Sequence, residues 1–273
     1  MISSMTLIAC FVTLFVTLLL PIIVISVLSF KNRGGKLVSA WVLGAAGFVV
    51  TQLLIRLPIL TALQNQPWFI SCSENNGFLF AFALAFTAGL FELAGRFVVA
   101  KLMHKNLNYH RALAAGLGHG GIEAMILVGM TYLNNILYIF MINSGTFDAV
   151  VSEAVAAGVD VSALLMVKDQ LISASPALFL LGGFERILAM IGHLAMSLIV
   201  CYGVYTGKPL KGALICLGIH TLMDLTAGIS MLVGKGLSQT AAYVIIYAIL
   251  TVMAVLSILI VRKIRRSWRE TEG

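Results

Sequence analysis

Charge is scarce in this chain. Only 11% of its 273 residues are Asp, Glu, Lys or Arg, while 60% are hydrophobic. Soluble globular proteins carry about 25% charged and about 45–50% apolar residues. The balance excludes disorder and a fibrous repeat, and it leaves little room for a water-soluble enzyme. Cysteine is equally sparse: Cys10, Cys72, Cys201 and Cys216 show no metal-binding spacing, and only Cys72 lies in a polar stretch. A disulfide scaffold is therefore excluded. No internal repeat, low-complexity run or soluble domain is visible. No ten-residue alternation of apolar and polar residues points to a barrel. The N-terminal MISSMTLIACF lacks a basic leader and a small-residue cleavage site, so the first apolar stretch is expected to remain as a span.

What remains is apolar sequence in long runs, near 5–29, 37–63, 77–101, 111–141, 176–206, 210–232 and 238–261. Each reaches the roughly 20 residues that a helix needs to cross a bilayer. The expected fold is all-α: a polytopic membrane protein of seven transmembrane helices, organised as one integral-membrane domain over residues 1–273. The net charge of +7 comes from short basic runs beside these stretches, which points to the lipid bilayer as partner and not to nucleic acid. One side receives Lys31, Arg33, Lys36, Lys101, Lys105, Arg111, Lys208, Lys211, Arg262, Lys263, Arg265, Arg266 and Arg269; the other receives only Lys168 and Lys235. Positive residues favour the cytoplasm. The N-terminus is expected outside and the C-terminus inside a cell membrane of bacterial cytoplasmic type. Within 142–175 the apolar residues recur at helical spacing, interrupted by Asp148, Glu153 and Asp160. This predicts an amphipathic helix near 147–168 lying on the outer surface.

Ionisable residues inside a bilayer are costly and by default mark function. Here they are many: Glu92 and Arg96 in FELAGR, His119 and Glu123 in GLGHGGIEA, Glu185, Arg186 and His193 in GFERILAMIGH, His220 and Asp224 in GIHTLMD. Glu92/Arg96, His119/Glu123 and His220/Asp224 are each four residues apart, so each pair shares one helix face. Counted inward from the basic ends at 1.5 Å per residue, Glu92, His119, Glu123, His193, His220 and Asp224 fall in one slab, about 12–20 Å deep. Arg56, beside Pro58, is expected to extend outward. Glu185 and Arg186 are expected to pair with each other, with Arg56 or with the long loop.

The residue types suggest hydrolysis. A carboxylate in an apolar pocket can act as general base on water. Imidazoles can bind a metal or hold a developing oxyanion. Gly116, Gly118, Gly120 and Gly121 leave room for another helix or an extended peptide to approach His119. Two other readings stay open: a proton- or ion-coupled transporter, whose relays use the same residue types, and a non-catalytic protein that binds a membrane peptide.

These motifs, in this order on consecutive spans, resemble the YhfC family of intramembrane metalloproteases, which is similar to the PrsW and type II CAAX prenyl endopeptidase groups. GHGGIEA is the most specific part. The resemblance implies an intramembrane endopeptidase acting on a membrane-embedded or membrane-proximal peptide. It implies a catalytic Glu92 with Arg96 nearby, His119 in the second motif, and His193 and His220 in the later ones, with Asp224 at a position where relatives place Asn or Asp. Relatives usually carry paired glutamates in the first motif; here the run is Phe91-Glu92-Leu93. Zinc held by His119, His193 and His220 is one implication. A metal-free glutamate–water mechanism is the other, and the one preferred on sequence.

Overall fold

The computed structural model describes residues 1–32, 36–233 and 236–272. Arg33 and Lys235, both part of the charge asymmetry, lie outside the described residues. Among the described residues, seven helices are long and apolar enough to cross a membrane: Ser4–Lys31, Leu37–Leu63, Gly77–Leu102, Tyr109–Ser144, Pro176–Tyr205, Pro209–Ser230 and Gln239–Thr271. Among the described residues no strand forms; Val233 and Leu237 make an isolated bridge.

Local chemistry sets the helix ends. Ser3 Oγ accepts from Thr6 N–H at 3.1 Å and Asn108 Oδ1 accepts from Arg111 N–H at 3.0 Å, satisfying first-turn donors of the first and fourth spans. Pro176 and Pro209 open the fifth and sixth spans, where the missing N–H costs nothing. The fourth span stops at Gly145 and the fifth at Gly207, both in the left-handed region at φ 80° and 71°, the usual helix stop.

The described residues form two compact units. One comprises Met1–Ile22 and Ala124–Ile187. Its core gathers Cys10, Ile136, Ile139, Leu171 and Phe179. Thr13 Oγ1 and Tyr132 Oη both donate to the Phe179 carbonyl at 2.8 Å. Glu185 pairs with its neighbour Arg186. The segment expected as one amphipathic helix over 147–168 is two, Phe147–Ala156 and Ser162–Ser173. Gly158 breaks it at φ 74°, and Asp160 Oδ1 accepts from Ser162 N–H at 2.9 Å, an Asx turn that starts the second helix. Lys168 ties the two together, pairing with Asp148 and lying 5.4 Å over the Phe147 ring. That ion pair is exposed and contributes at most about 1 kcal/mol.

The other unit comprises Ile23–Glu123 and Leu188–Gly273. Its surface is inverted relative to a soluble protein: Leu54, Val98, Leu214 and Leu259 are each more than half exposed, while Glu92, Arg96, His119, His193 and His220 are buried. In lipid, apolar side chains gain nothing by hiding from the tails, so helices associate through close packing of small residues and through polar contacts. The second and fourth spans pack in the first way. A Cβ on Gly44 would stand 1.9 Å from the Ala115 carbonyl oxygen, and one on Gly118 would stand 1.9 Å from that of Trp41. The two backbones touch, and no rotamer change can relieve such a clash. Gly118→Ala should therefore destabilise the detergent-purified protein by at least about 1–3 kcal/mol, read as a fall in Tm; an unchanged Tm would show that the spans separate at no cost.

Candidate functional site

The polar stripes of the third to sixth spans turn toward one another, and Glu92 sits at their meeting point. Its Oε2 accepts from His119 Nε2 at 2.9 Å, from His220 Nε2 at 2.8 Å and from Arg96 Nη2 at 3.1 Å. Its Oε1 accepts from Gln52 Nε2 at 2.6 Å. Four helices besides its own turn thus supply a donor or a neighbour to one buried carboxyl group. A buried carboxylate without such donors would be strongly disfavoured.

Arg96 also fixes His193. A guanidinium only donates, so His193 Nδ1, 2.6 Å from Arg96 Nη2, is the acceptor and the ring proton belongs on Nε2. That nitrogen faces Glu123 Oε2 at 3.0 Å. His220 Nε2 likewise carries a proton toward Glu92, and its Nδ1 lies 3.3 Å from Asp224 Oδ2. Two carboxylate–imidazole arms therefore flank Glu92: Arg96–His193–Glu123 on one side and His220–Asp224 on the other. Asp224, with a third of its side chain exposed, is the most open end of the network. The rings pack as well as hydrogen-bond. His119 and His193 stack at 5.7 Å, His193 and His220 meet edge-on at 5.5 Å, and Phe48 lies edge-on to His119 at 5.4 Å.

Seven of the nine ionisable residues named in the four motifs, Glu92, Arg96, His119, Glu123, His193, His220 and Asp224, thus belong to one connected group. The metal-donor set differs from the three histidines expected. Glu92, His119, Glu123 and His193 each offer a ligand atom within 4.8 Å of the other three. His220 is not in this set; it bridges Glu92 Oε2 through Nε2 and Asp224 through Nδ1. The space beside the glycines is also filled. Gly118 meets the second span and Gly120 meets His193 Cβ, so helices, not a peptide, occupy that face.

Arg56 does not extend outward. Its Nη2 donates to the Leu84 carbonyl at 2.7 Å and its Nη1 to Gln52 Oε1 at 3.3 Å. The third span's carbonyl and the Gln52 amide supply acceptors to this half-buried guanidinium. Gln52 itself was missed by sequence reasoning, although a lone amide amid VVTQLLIR was the available signal. It lies in the stretch Val49–Arg56, where the second span widens to π-helical geometry, a distortion common at functional sites. Gln52→Leu removes a hydrogen bond to a buried charge, a loss of about 1.5–3 kcal/mol. A measurable fall in Tm is expected, and an unchanged Tm would show that the contact carries nothing.

Beside the cluster is a cavity of about 10 Å³ lined by Arg96, His119, Ser197, Gly44, Ala115 and Cys201 among others. That is room for about one water molecule. Arg96 Nη1 and Ser197 Oγ, both buried, have no protein partner and would suit its hydrogen bonds.

Residues 16–250 match the model of a family described as YhfC intramembrane metalloprotease. The chain is also 29% identical over 238 residues to the uncharacterized membrane protein YhfC of Bacillus subtilis (strain 168), covering 87% of this chain and 88% of the relative. No solved structure matches. The seven apolar helices and these similarities make the chain a multi-pass membrane protein.

Proposed function

Because the chain belongs to the YhfC intramembrane metalloprotease family, we propose that it is an endopeptidase that hydrolyses a peptide bond of a membrane-embedded or membrane-proximal substrate at the Glu92 cluster. The observation that carries this reading is the convergence of Glu92, His119, Glu123 and His193 within one buried group beside a water-sized cavity. On the basic-residue asymmetry, the N-terminus lies outside and the C-terminus in the cytoplasm.

The family description implies a metal, and the residues present fit one. Two imidazole nitrogens and two carboxylate oxygens form a donor set that suits zinc, and two carboxylates beside one arginine leave negative charge for a cation to balance. Of these, His119, Glu123 and His193 would hold it while Glu92 stays free as base, and it would supply Lewis-acid polarisation of a carbonyl and a more acidic water. This fit supports the metal-bound form over the metal-free one preferred on sequence.

The chain's own groups would act as follows. Glu92 Oε2 takes a proton from the attacking water as its oxygen bonds to the scissile carbonyl carbon. His220, which presents Nε2–H to that same point, donates to the carbonyl oxygen as it becomes an oxyanion. The proton held on Glu92 then passes to the leaving amine as the C–N bond breaks. Arg96 holds Glu92 and His193 in place, and Asp224 orients His220. An apolar cleft of about 550 Å³, lined by Phe78, Ala81, Leu222, Leu225, Ile249 and Met253 among others, offers a substrate segment a route from lipid. Leu222 and Leu225 flank Asp224, the open end of the network.

The test is to incubate protein in proteoliposomes with a library of single-span peptides and analyse the products by mass spectrometry. Internal cleavage that stops on chelation and returns with zinc is expected. Intact peptides with metal-loaded protein would contradict the proposal. The saturation of Glu92 by four donors favours a second reading, a structural polar network in a non-catalytic peptide binder; capture of peptides without turnover would support it.

A further inference from the structure

Away from the Glu92 cluster, a cavity of about 440 Å³ opens where the end of the fifth span, the start of the sixth and the late part of the seventh converge. Its floor is aliphatic: Ile199, Ile215, Ile260 and Ile264. Its mouth holds Lys208 and Lys211, both exposed. The turn between the spans creates this pairing. Gly207 reverses the chain in the left-handed region, Lys208 N–H closes onto the Gly203 carbonyl at 2.8 Å, and Pro209 opens the next helix. Gly203 and Gly212 face each other across the junction with no room for a Cβ: one on Gly212 would lie 2.8 Å from the Ile199 carbonyl oxygen. The helices therefore pack backbone to backbone at that point, beside an open groove.

We propose that this groove binds an anionic phospholipid, its phosphate at Lys208 and Lys211 and an acyl chain along the isoleucines. Among the described residues neither lysine has a carboxylate partner, so a basic mouth is left uncompensated over an apolar floor. A free phosphate would leave the isoleucines uncovered, and an uncharged lipid would leave two ammonium groups unmatched. Only a ligand joining the two chemistries satisfies both, and basic pockets between spans bind such headgroups. The size falls in the range of specific ligand sites. The basic tail is a separate feature: Arg262, Arg265, Arg266 and Arg269 line a different groove, with Glu270.

The test is native mass spectrometry of the full chain in detergent, with phosphatidylglycerol or phosphatidylcholine of identical acyl chains. Phosphatidylglycerol should be retained at least fivefold better, and the double variant K208Q/K211Q should lose that preference while R266Q/R269Q keeps it. Both lysines are exposed, so the variant should fold, and an unchanged Tm checks this. Equal retention of the two lipids, an unaltered preference in K208Q/K211Q, or the same loss in R266Q/R269Q would overturn the proposal. So would displacement of the lipid by an equal concentration of glycerol phosphate, which would make the headgroup anion alone the ligand. None of these outcomes depends on whether the Glu92 cluster hydrolyses peptides.

Discussion

Glu92→Gln is expected to lower peptide cleavage by at least about 100-fold while the protein still folds. General-base catalysis contributes about 10²–10⁴-fold, and the amide cannot take a proton from water. The substitution is nearly isosteric. The retained oxygen can still accept from His119, His220 and Arg96, which meet at Oε2. The new NH₂ would point at Gln52, whose amide can receive it only by rotating its oxygen away from Arg56 Nη1. Arg96 loses its buried counter-charge, so Tm should fall, and retention of the helical far-UV circular dichroism checks that the variant still folds. Cleavage within tenfold of wild type would remove Glu92 from the role of base.

Arg96→Met is expected to have the largest effect on stability, about 3–5 kcal/mol. Removing one member of a buried ion pair leaves the other charge uncompensated. Here the loss falls on the Glu92 carboxylate and on His193 Nδ1 together. The double variant E92Q/R96M should recover a large part of the loss, because the buried charge goes with its partner. A double-mutant cycle on thermal denaturation measures the coupling. Purely additive effects would show that the guanidinium and carboxylate do not stabilise one another.

The spans were legible from apolar run length because lipid forbids any other spanning structure for such runs. The five spans that carry the cluster and its flank begin or end within a few residues of the stretches read from composition. The meeting of Glu92, His119, Glu123, His193, His220 and Asp224 was legible from spacing and depth, since residues four apart share a face and opposed helices can bring equal depths level. Partner choice was not. Which nitrogen of His220 faces Glu92, and why His220 leaves the metal-donor set to Glu123, depends on helix rotation that spacing cannot specify. Gln52 escaped notice because its contribution depends on the π-helical widening of Val49–Arg56, which has no simple sequence signature. Arg56 was misplaced because its acceptors, the Leu84 carbonyl and Gln52, come from tertiary packing. The break at Gly158 was readable in retrospect: glycine followed two residues later by Asp160 is turn chemistry.

The most direct measurement is cleavage of a single-span peptide in ¹⁸O-labelled water by zinc-loaded protein in proteoliposomes, with wild type and Glu92→Gln side by side. The wild type should release a fragment carrying one ¹⁸O in its new C-terminal carboxylate, and the variant should release none. Absence of cleavage by the wild type, or equal labelled product from both proteins, would contradict a hydrolytic centre at Glu92.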